Sequence, residues 1–263
     1  MSRLAIGRSP SVGYYPAPPM PAPFTAELVA RETIAPGIAE LSFAMREPAR
    51  LDFKAGQFVS MAVDAPAAGA DPVPRRSYSI ASQSDAGDVL RFIVRVIPDG
   101  KASEYLMSIS LGSLVRMTGP HGFFLLDPSH PGDVVFGATG TGIAAVMPML
   151  GELGRRRESG QETRRCLLLW GMRQEADLFS RQEIDRLVAR AGAELHIFLT
   201  APGPHWTDGR GRITPALLER LAEMVAPTFY LVGNGAMITE LKRELISRGI
   251  NRKTQIRTEA FFD

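Results

Sequence analysis

Two short stretches of the chain place charged, aromatic, hydroxyl and glycine residues at spacings that could bind a ligand. The first lies within residues 75–82, where Arg76, Tyr78 and Ser79 stand at positions i, i+2 and i+3. A guanidinium can pair with a pyrophosphate, a tyrosine ring offers a stacking face, and a small hydroxyl can hydrogen-bond a ring nitrogen. The combination suits a flavin dinucleotide, although Arg-x-Tyr-Ser alone is also common on surface strands.

The second stretch is glycine-rich and covers residues 133–143, DVVFGATGTGI. A short apolar run, a turn and the start of a helical pattern follow one another in that order. Glycines let a backbone approach a ligand closely, and the free N–H groups at a helix start favour a pyrophosphate. The turn is therefore a candidate nucleotide site, formed by Gly137, Thr139, Gly140, Thr141 and Gly142. A tight strand-to-helix turn that only packs closely is the alternative interpretation.

Two other nucleotide-binding motifs fit the glycine-rich stretch less well. Its spacing is G-x-x-G-x-G, and no Lys-Ser/Thr pair follows it as in a Walker loop. In an ordinary Rossmann dehydrogenase the turn would follow the domain's first strand, with an acidic residue about 20 positions later. Here the turn lies in mid-chain, and the next apolar strand ends at Trp170-Gly171-Met172-Arg173 without an acid.

The elements that would position these residues change type along the chain. Between residues 24 and 126, six short apolar segments are separated by glycine, proline and aspartate, which predicts an antiparallel barrel or sandwich. A short helix is predicted at 102–107. After residue 131, apolar strands alternate with amphipathic helices, which indicates βαβ units and a parallel sheet. We predict a proline-rich tail over 1–23, a β domain over 24–128 and an α/β domain over 129–263.

Taken together and in this order, the motifs resemble those of the ferredoxin–NADP reductase superfamily over residues 24–263. The resemblance implies a six-stranded antiparallel β-barrel that binds FAD, followed by a parallel-sheet α/β domain that binds NAD(P). Arg76, Tyr78 and Ser79 match the family's Arg-x-Tyr-Ser strand. This match implies pyrophosphate pairing by the arginine, stacking by the tyrosine and a serine contact near flavin N5.

Three further segments carry the resemblance. Residues 93–103 resemble the second flavin motif, in which a glycine turn and a serine at a helix start receive phosphate. The implied residues are Ile93, Val94, Arg95, Gly100, Lys101, Ala102 and Ser103. Residues 119–124, GPHGFF, resemble the barrel-closing G-P-x-G-x-F. The glycine-rich turn at 137–142 corresponds to the nicotinamide-domain motif.

The last two motifs lie near the end of the chain. Gly233, Asn234 and Met237 resemble a C-G-x-x-x-M turn that approaches the nicotinamide, with Val232 at the cysteine position. Residues 259–263, EAFFD, resemble the acidic-x-aromatic ending whose aromatic ring covers the flavin. Either Phe261 or Phe262 could be that ring, because two residues follow the first of them. On the family pattern Ser79, Glu259 and Phe261 are the catalytic candidates.

The resemblance implies an FAD-dependent NAD(P)H:ferredoxin or flavodoxin reductase, with an oxygenase component as a third possible acceptor. The alternatives are an NAD(P)H:flavin reductase, an electron-transfer subunit of a larger complex, and a non-catalytic flavoprotein. NADH is favoured over NADPH because Thr200 is followed by Ala201, and 206–214 resembles NADH-using, oxygenase-linked reductases. Arg173, Arg210 and Arg212 are the candidates for a 2′-phosphate pocket.

Composition excludes several other classes. Thirty basic and 28 acidic residues give a net charge of +2, without the basic excess expected for nucleic-acid binding. The single cysteine, Cys166, excludes an internal disulfide and a four-cysteine iron–sulfur cluster. The four histidines have no metal-site spacing.

No apolar run approaches the ~20 residues of a membrane span, and no secretory signal is evident, so a cytoplasmic location with no membrane contact is expected. A basic cluster, comprising 155–157 with 164 and 165, is either a solvated helix end or a docking patch for an acidic partner. The oligomeric state is left open.

Overall fold

The structure is a computed structural model that describes residues 22–63 and 74–261. The predicted tail over 1–23 therefore lies almost wholly outside the described residues, and so does Phe262. Within them the chain forms two six-stranded sheets, one antiparallel and one parallel, as the sequence pattern predicts.

The first sheet forms the N-terminal barrel. Its strands are β1 (Pro23–Ala35), β2 (Ile38–Glu47), β3 (Phe58–Ala62), β4 (Arg75–Ser79), β5 (Val89–Arg95) and β6 (Leu114–His121), with helix α1 (Lys101–Ser108) between the last two. The strand order is β4-β3-β6-β1-β2-β5, and every pairing is antiparallel. The sheet curls until its two end strands meet, where the Ala81 N–H donates to the Arg91 carbonyl at 2.8 Å.

Alternation along the barrel strands decides which side chains fill its interior. In β2, for example, Leu41, Phe43 and Met45 are buried while the residues between them are partly exposed. A strand presents successive side chains to opposite faces, so this period of two buries one face. The rings of Phe43 and Phe92 pack in a T-shaped arrangement at a centroid distance of 5.9 Å inside the barrel.

The second sheet belongs to the α/β domain. Its elements are β7 (Val134–Thr139), α2 (Ile143–Glu158), β8 (Cys166–Met172), α3 (Arg181–Ala191), β9 (Ala193–Leu199), β10 (Gly209–Arg210), α4 (Ile213–Glu219), β11 (Thr228–Asn234), α5 (Gly235–Ser247) and β12 (Ile256–Phe261). Helix α4 is short: it ends at Glu219, and a 3-10 turn, Arg220–Glu223, follows it. The two-residue strand β10 has no apolar run and was not predicted.

The order of the parallel sheet locates its ligand-binding edge. The strands run β10-β9-β8-β7-β11-β12, so the chain leaves β7 in one direction and returns on its other side. Ligands of open parallel sheets bind at the carboxyl ends of the strands where the order reverses. That point lies between β7 and β11, at the glycine-rich turn and the Gly233 turn.

Side-chain bonds join the two domains. Arg91 on β5 donates to both carboxylate oxygens of Glu183 on α3 at 2.8 Å, and it also bonds Glu40 on β2. Arg155 on α2 reaches Ser84 and Asp85 of the barrel domain at 3.2 and 3.3 Å. These contacts fix the barrel against the α/β domain and hold the cleft between them.

Most side chains of the basic cluster bond to other groups of the protein. Arg164 bonds both carboxylate oxygens of the buried Glu162, Arg165 pairs with Glu194, and Arg157 donates to backbone carbonyls. With Arg155 also paired, the cluster is largely neutralised by its own chain, and the docking interpretation of it is not supported. Cys166 is fully buried in β8. None of the helices in 22–63 and 74–261 is long and apolar enough to cross a membrane.

Candidate functional site

Strand β4 presents the three residues of the first motif at the edge of the barrel. Ser79 is buried, Tyr78 is half-buried against the barrel core, and Arg76 is exposed. The Arg76 guanidinium donates to the carbonyl of Arg75 at 2.8 Å. Burial raises the pKa of Tyr78 to about 12, so its ring is a neutral phenol near neutral pH. An exposed guanidinium and a neutral ring fit the pyrophosphate and stacking roles implied by the family pattern.

A hydrogen bond across the two domains joins two of the catalytic candidates. The Ser79 hydroxyl donates to Glu259 Oε1 at 2.7 Å, although the residues are 180 positions apart in sequence. Burial raises the pKa of the Glu259 carboxyl, and the bond from Ser79 opposes part of that rise. Burial therefore favours the protonated form of this carboxyl at the junction of the domains more than water would.

Gly122 lies against this pair for a steric reason. Its φ is +100°, and a Cβ there would meet the Phe58 ring at 3.0 Å and Glu259 Oε2 at 3.7 Å. Phe58 pairs with Ser79 in the register of β3 and β4. Phe58 is thus a site residue that sequence reasoning missed, because only the pairing of two strands places it there.

The second flavin motif is divided between packing and the cleft. Ile93 is buried against the core formed by α2, β7 and β8, Val94 is buried in the barrel core, and Arg95 lines the cleft. The Ser103 hydroxyl accepts the Ile97 N–H at 3.1 Å and lies 2.9 Å from the carbonyls of Ile97 and Gly100. This serine, expected to receive phosphate, is 5% exposed and holds its own turn together.

The start of α1 nevertheless keeps its anion-binding capacity. Gly100 caps the helix without a side-chain hydrogen bond. The first-turn N–H groups of a helix have no intrahelical partners, so those of Lys101, Ala102 and Ser103 are available to a phosphate. In this geometry the backbone of the motif fits the ligand better than the serine hydroxyl does.

The glycine-rich turn combines a candidate nucleotide site with close packing, and different glycines account for the two. Gly140 has a φ of +57° with open space around its Cβ position, so it supplies a left-handed backbone facing the cleft. A Cβ on Gly142 would lie 2.9 Å from the Val232 carbonyl oxygen, and one on Gly137 would meet the Leu231 side chain at 3.0 Å. Gly137 and Gly142 are therefore packing positions.

The second turn of the α/β domain is packed directly on the first. The Asn234 N–H donates to Thr139 Oγ1 at 2.8 Å, and Asn234 Oδ1 caps α5 by accepting from the N–H groups of Ala236 and Met237. Gly233 has a φ of +114°, and a Cβ there would lie 2.4 Å from Thr139 Oγ1. The sequence predicted both turns, and the structure adds that each one positions the other.

A cleft of about 860 Å³ opens at the carboxyl ends of β7, β8 and β11, facing the β5–α1 loop of the barrel domain. It brings together ten of the predicted site residues, namely Arg95, Thr139, Gly140, Thr141, Arg173, Arg212, Gly233, Asn234, Met237 and Phe261. It also includes Thr214 of α4, from the 206–214 segment, and Pro36 and Gly37 of the barrel, which sequence reasoning missed. Pro36 and Gly37 carry no motif and meet the cleft only through the packing of the two domains.

The donors around the cleft fit a dinucleotide. Helix α1 begins without a side-chain cap, and α2 continues the 3-10 turn Gly140–Gly142, so backbone N–H groups at the start of α1 and of that turn can bind phosphate. Phe261, at the end of β12, pairs in register with Asn234 and lines the cleft, and Glu259 pairs with Val232 on the same strands. The aromatic ring and the Ser79–Glu259 pair thus come from neighbouring positions of one strand.

The three arginines considered for a 2′-phosphate differ in their bonding. Arg210 donates to the carbonyls of Gly203, Pro204 and Trp206, and Arg212 pairs with Glu240 at 3.0 Å. Arg173 lines the cleft, and its side chain has no hydrogen-bond or ion-pair partner within 22–63 and 74–261.

Comparisons with known proteins cover both domains. An oxidoreductase FAD-binding domain matches residues 25–125, and an oxidoreductase NAD-binding domain matches residues 136–243. The chain is 33% identical over 241 residues to Ferredoxin–NADP reductase B of Sorangium cellulosum, which covers 88% of this chain and 95% of that protein.

Two more distant similarities point the same way. NADH-cytochrome b5 reductase 1 of Pyricularia oryzae is 26% identical over 201 residues, covering 75% of this chain and 65% of that protein. The crystal structure of the Amycolatopsis cytochrome P450 reductase GcoB superposes with a TM-score of 0.75 at 27% identity, covering 91% of this chain and 70% of that one.

Proposed function

Because the chain belongs to the ferredoxin–NADP reductase family of FAD- and NAD-binding oxidoreductases, we propose that it passes electrons from a reduced nicotinamide, through FAD, to a separate ferredoxin. A flavodoxin and an oxygenase component are alternative acceptors, because each would receive electrons from the reduced FAD in the same way. The observation that carries the proposal is the Ser79–Glu259 hydrogen bond, which joins the flavin motif to the strand that ends in Phe261 beside the cleft.

In this proposal some site residues bind the FAD, and others act at the junction of the domains where the nicotinamide enters. FAD, when bound, supplies the conversion from a two-electron hydride donor to one-electron acceptors. Arg76 binds the pyrophosphate and Tyr78 supplies the stacking face. Ser79 and Glu259 hold a proton at the domain junction, and Phe261 excludes water from the cleft until the nicotinamide enters.

The acceptor is proposed to be a separate protein because this chain has no means of ligating a four-cysteine cluster. Its only cysteine, Cys166, is fully buried in a strand. The Sorangium relative is named for ferredoxin, and the Amycolatopsis structure is described as a cytochrome P450 reductase. Both names refer to transfer to a second redox protein.

We propose NADH as the preferred donor. Of the three arginines considered for a 2′-phosphate, Arg210 donates to backbone carbonyls and Arg212 pairs with Glu240, which leaves Arg173 as the one without a bonded partner among the described residues. A 2′-phosphate would therefore gain one bidentate guanidinium pair without breaking an existing contact. This preference would separate the chain from its Sorangium relative, whose name specifies NADP.

The test is an anaerobic absorbance titration of the purified protein with NADH and, separately, with NADPH. The proposal expects bound FAD whose band near ~450 nm is bleached by NADH at a lower concentration than by NADPH. Arg173→Ala should weaken the binding of NADPH far more than the binding of NADH. A protein that takes up no FAD, or whose FAD neither nucleotide bleaches, would refute the reductase assignment.

The same preparation separates the flavin-reductase alternative. A ferredoxin reductase retains its FAD through gel filtration. It then reduces added ferredoxin even when there is less free flavin than enzyme. Loss of FAD on the column, with activity restored only by excess free flavin, would favour the alternative.

A further inference from the structure

Arg156 is the member of the basic cluster whose charge the fold compensates least. Its one ion pair among the described residues joins Nε to Glu162 Oε2 at 3.9 Å. Nε itself is buried and has no hydrogen-bond partner. Both carboxylate oxygens of Glu162 already accept hydrogen bonds from Arg164, at 2.8 and 2.5 Å. The Arg156 guanidinium therefore keeps donors and positive charge for another group.

Arg156 lines a second cavity, which lies between the two domains. Its volume is about 320 Å³, at the lower end of the range of small-molecule sites. The segment before β3 and the connection from β6 to β7 form part of its wall, and the second half of α2 forms the rest. The cavity shares no lining residue with the cleft at the glycine-rich turn. Leu153 lies about 15 Å along α2 from the start of that helix, so the two sites are well separated.

Two cations on the wall of this cavity are available to a ligand. Lys54 is exposed, and its ammonium group has no partner among the described residues. Arg164 is already bonded to a carboxylate and to two backbone carbonyls. The one carboxylate of the lining belongs to Glu152, which pairs with Arg155 at 2.8 Å. Lys54 of the barrel domain and Arg156 of the α/β domain are thus the cations without a close partner.

The rest of the lining is apolar apart from one hydroxyl. Phe53, Leu126 and Leu153 provide apolar walls. The Ser84 hydroxyl accepts a hydrogen bond from Arg155 at 3.2 Å, which leaves its own proton to donate. An apolar chain would gain from burial against these walls, and an anionic head would pair with the cations. The lining therefore suits an organic anion better than an inorganic one.

We propose that this cavity binds a small organic carboxylate, whose chain packs on Phe53, Leu126 and Leu153 and whose head pairs with Lys54 and Arg156. The inference is independent of the electron acceptor and of the nicotinamide. Because the two cations belong to different domains, a bound carboxylate adds a contact between them. Occupancy therefore stabilises the arrangement of the domains that forms the cleft.

The test measures the binding of octanoate to the full-length FAD-loaded protein by equilibrium dialysis. Octanamide has the same chain without the charge, and inorganic phosphate has charge without the chain. Arg156→Met and Lys54→Met each remove one cation and keep an apolar stem. Arg252→Met, which removes an exposed cation from the α5–β12 loop, is the matched control.

Octanoate should bind with a Kd of about 0.1–1 mM, as expected for a ligand of this size. Octanamide and phosphate should bind at least about tenfold more weakly, because each lacks one of the two kinds of contact. Arg156→Met should weaken octanoate binding about tenfold or more, and Lys54→Met about threefold, since the lysine is exposed to solvent. The control should stay within about twofold of wild type.

Thermal unfolding separates a lost site from a damaged fold. Arg156 makes no hydrogen bond among the described residues, so Arg156→Met without ligand should keep the Tm of wild type. Octanoate at about ten times its Kd should raise the Tm of wild type by about 2–5 °C and that of Arg156→Met by less.

Three results would overturn the proposal. They are an affinity for octanamide equal to that for octanoate, wild-type octanoate binding by Arg156→Met, and displacement of octanoate by saturating NAD⁺, which would place the ligand in the cleft. Failure of octanoate to bind at ten millimolar or below, about ten times the weakest expected Kd, would refute it as well. Because octanoate binding requires no flavin reduction, a protein whose FAD neither NADH nor NADPH bleaches would fail the proposed function and still give a decisive result here.

Discussion

Replacing Gly233 by alanine tests the packing of the two turns that form the nicotinamide side of the cleft. An alanine Cβ at this position would lie 2.4 Å from Thr139 Oγ1 and 2.5 Å from the Thr139 carbonyl oxygen. One of these contacts is backbone, so rotation of a side chain cannot relieve it. The two turns must separate, and the hydrogen bond from the Asn234 N–H to Thr139 Oγ1 must lengthen.

The expected cost has two parts, and the chain offers a control for one of them. Gly233 has a φ of +114°, which costs a non-glycine residue roughly 1–3 kcal/mol. Gly249 has a φ of +86° with nothing near its Cβ position, so Gly249→Ala carries that backbone cost alone. The clash at Gly233 adds about 1–3 kcal/mol, the usual cost of overpacking. Gly233→Ala should therefore lower the free energy of unfolding by about 1–3 kcal/mol more than Gly249→Ala does.

Two measurements check the reasoning. Urea unfolding gives the difference in stability, and steady-state kinetics with a small acceptor gives the effect on the cleft. A displacement of about 1 Å in a positioning element can cost up to ~100-fold in rate, so kcat/KM for the nicotinamide should fall at least ~10-fold in Gly233→Ala, with FAD content unchanged. Equal losses of stability in the two variants, or wild-type nicotinamide kinetics in Gly233→Ala, would refute the packing argument.

Three other predictions follow from buried polar groups. Because burial raises the pKa of Glu259, its ionisation destabilises the fold as pH rises from the unfolded-state value of ~4.3, so wild type should lose Tm relative to Glu259→Gln between acidic and neutral pH. A constant Tm difference between the two proteins across that range would contradict this prediction. The Glu259→Gln variant should also keep the hydrogen bond to Ser79, and its rate of hydride transfer should depend less on pH. Arg91→Ala leaves the Glu183 carboxylate without its cation and should lower the free energy of urea unfolding by about 2–4 kcal/mol. The double variant with Glu183→Gln should recover part of this loss. Additive losses in the double variant would show that the two side chains do not interact. Burial raises the pKa of Cys166, so the native protein should not react with a thiol reagent until it is unfolded in urea.

Local patterns predicted the elements and much of the site. The apolar period of two and the later alternation of strands and helices predicted the antiparallel and the parallel sheet, because each pattern buries one face of one kind of element. The turn at Gly140 was found because several glycines follow an apolar strand, and the Gly233 turn was found by its resemblance to a family motif; both glycines take a positive φ. In such places the reason for the residue lies within a few positions of it.

Local patterns were less informative where a residue's partner is remote. Ser103 has the sequence of a phosphate ligand, yet its hydroxyl bonds the backbone of its own turn. The arginines at 155–157, 164 and 165 look like a patch in the sequence, and the fold supplies acidic and carbonyl partners for most of them. Phe58 has no motif at all and reaches the site through strand pairing.

The sequence by itself determined the two classes of sheet, the order of the domains, the turns that approach a dinucleotide, and the identity of Ser79 and Glu259 as candidates. Only the tertiary structure decided that these two residues bond each other, that Phe261 lines the cleft, and that Phe123 is exposed while Phe124 is buried. The physical reason is the range of the interaction. Periodicity and turn chemistry act between neighbours in the chain, whereas a hydrogen bond between positions 180 residues apart exists only after two domains have packed together.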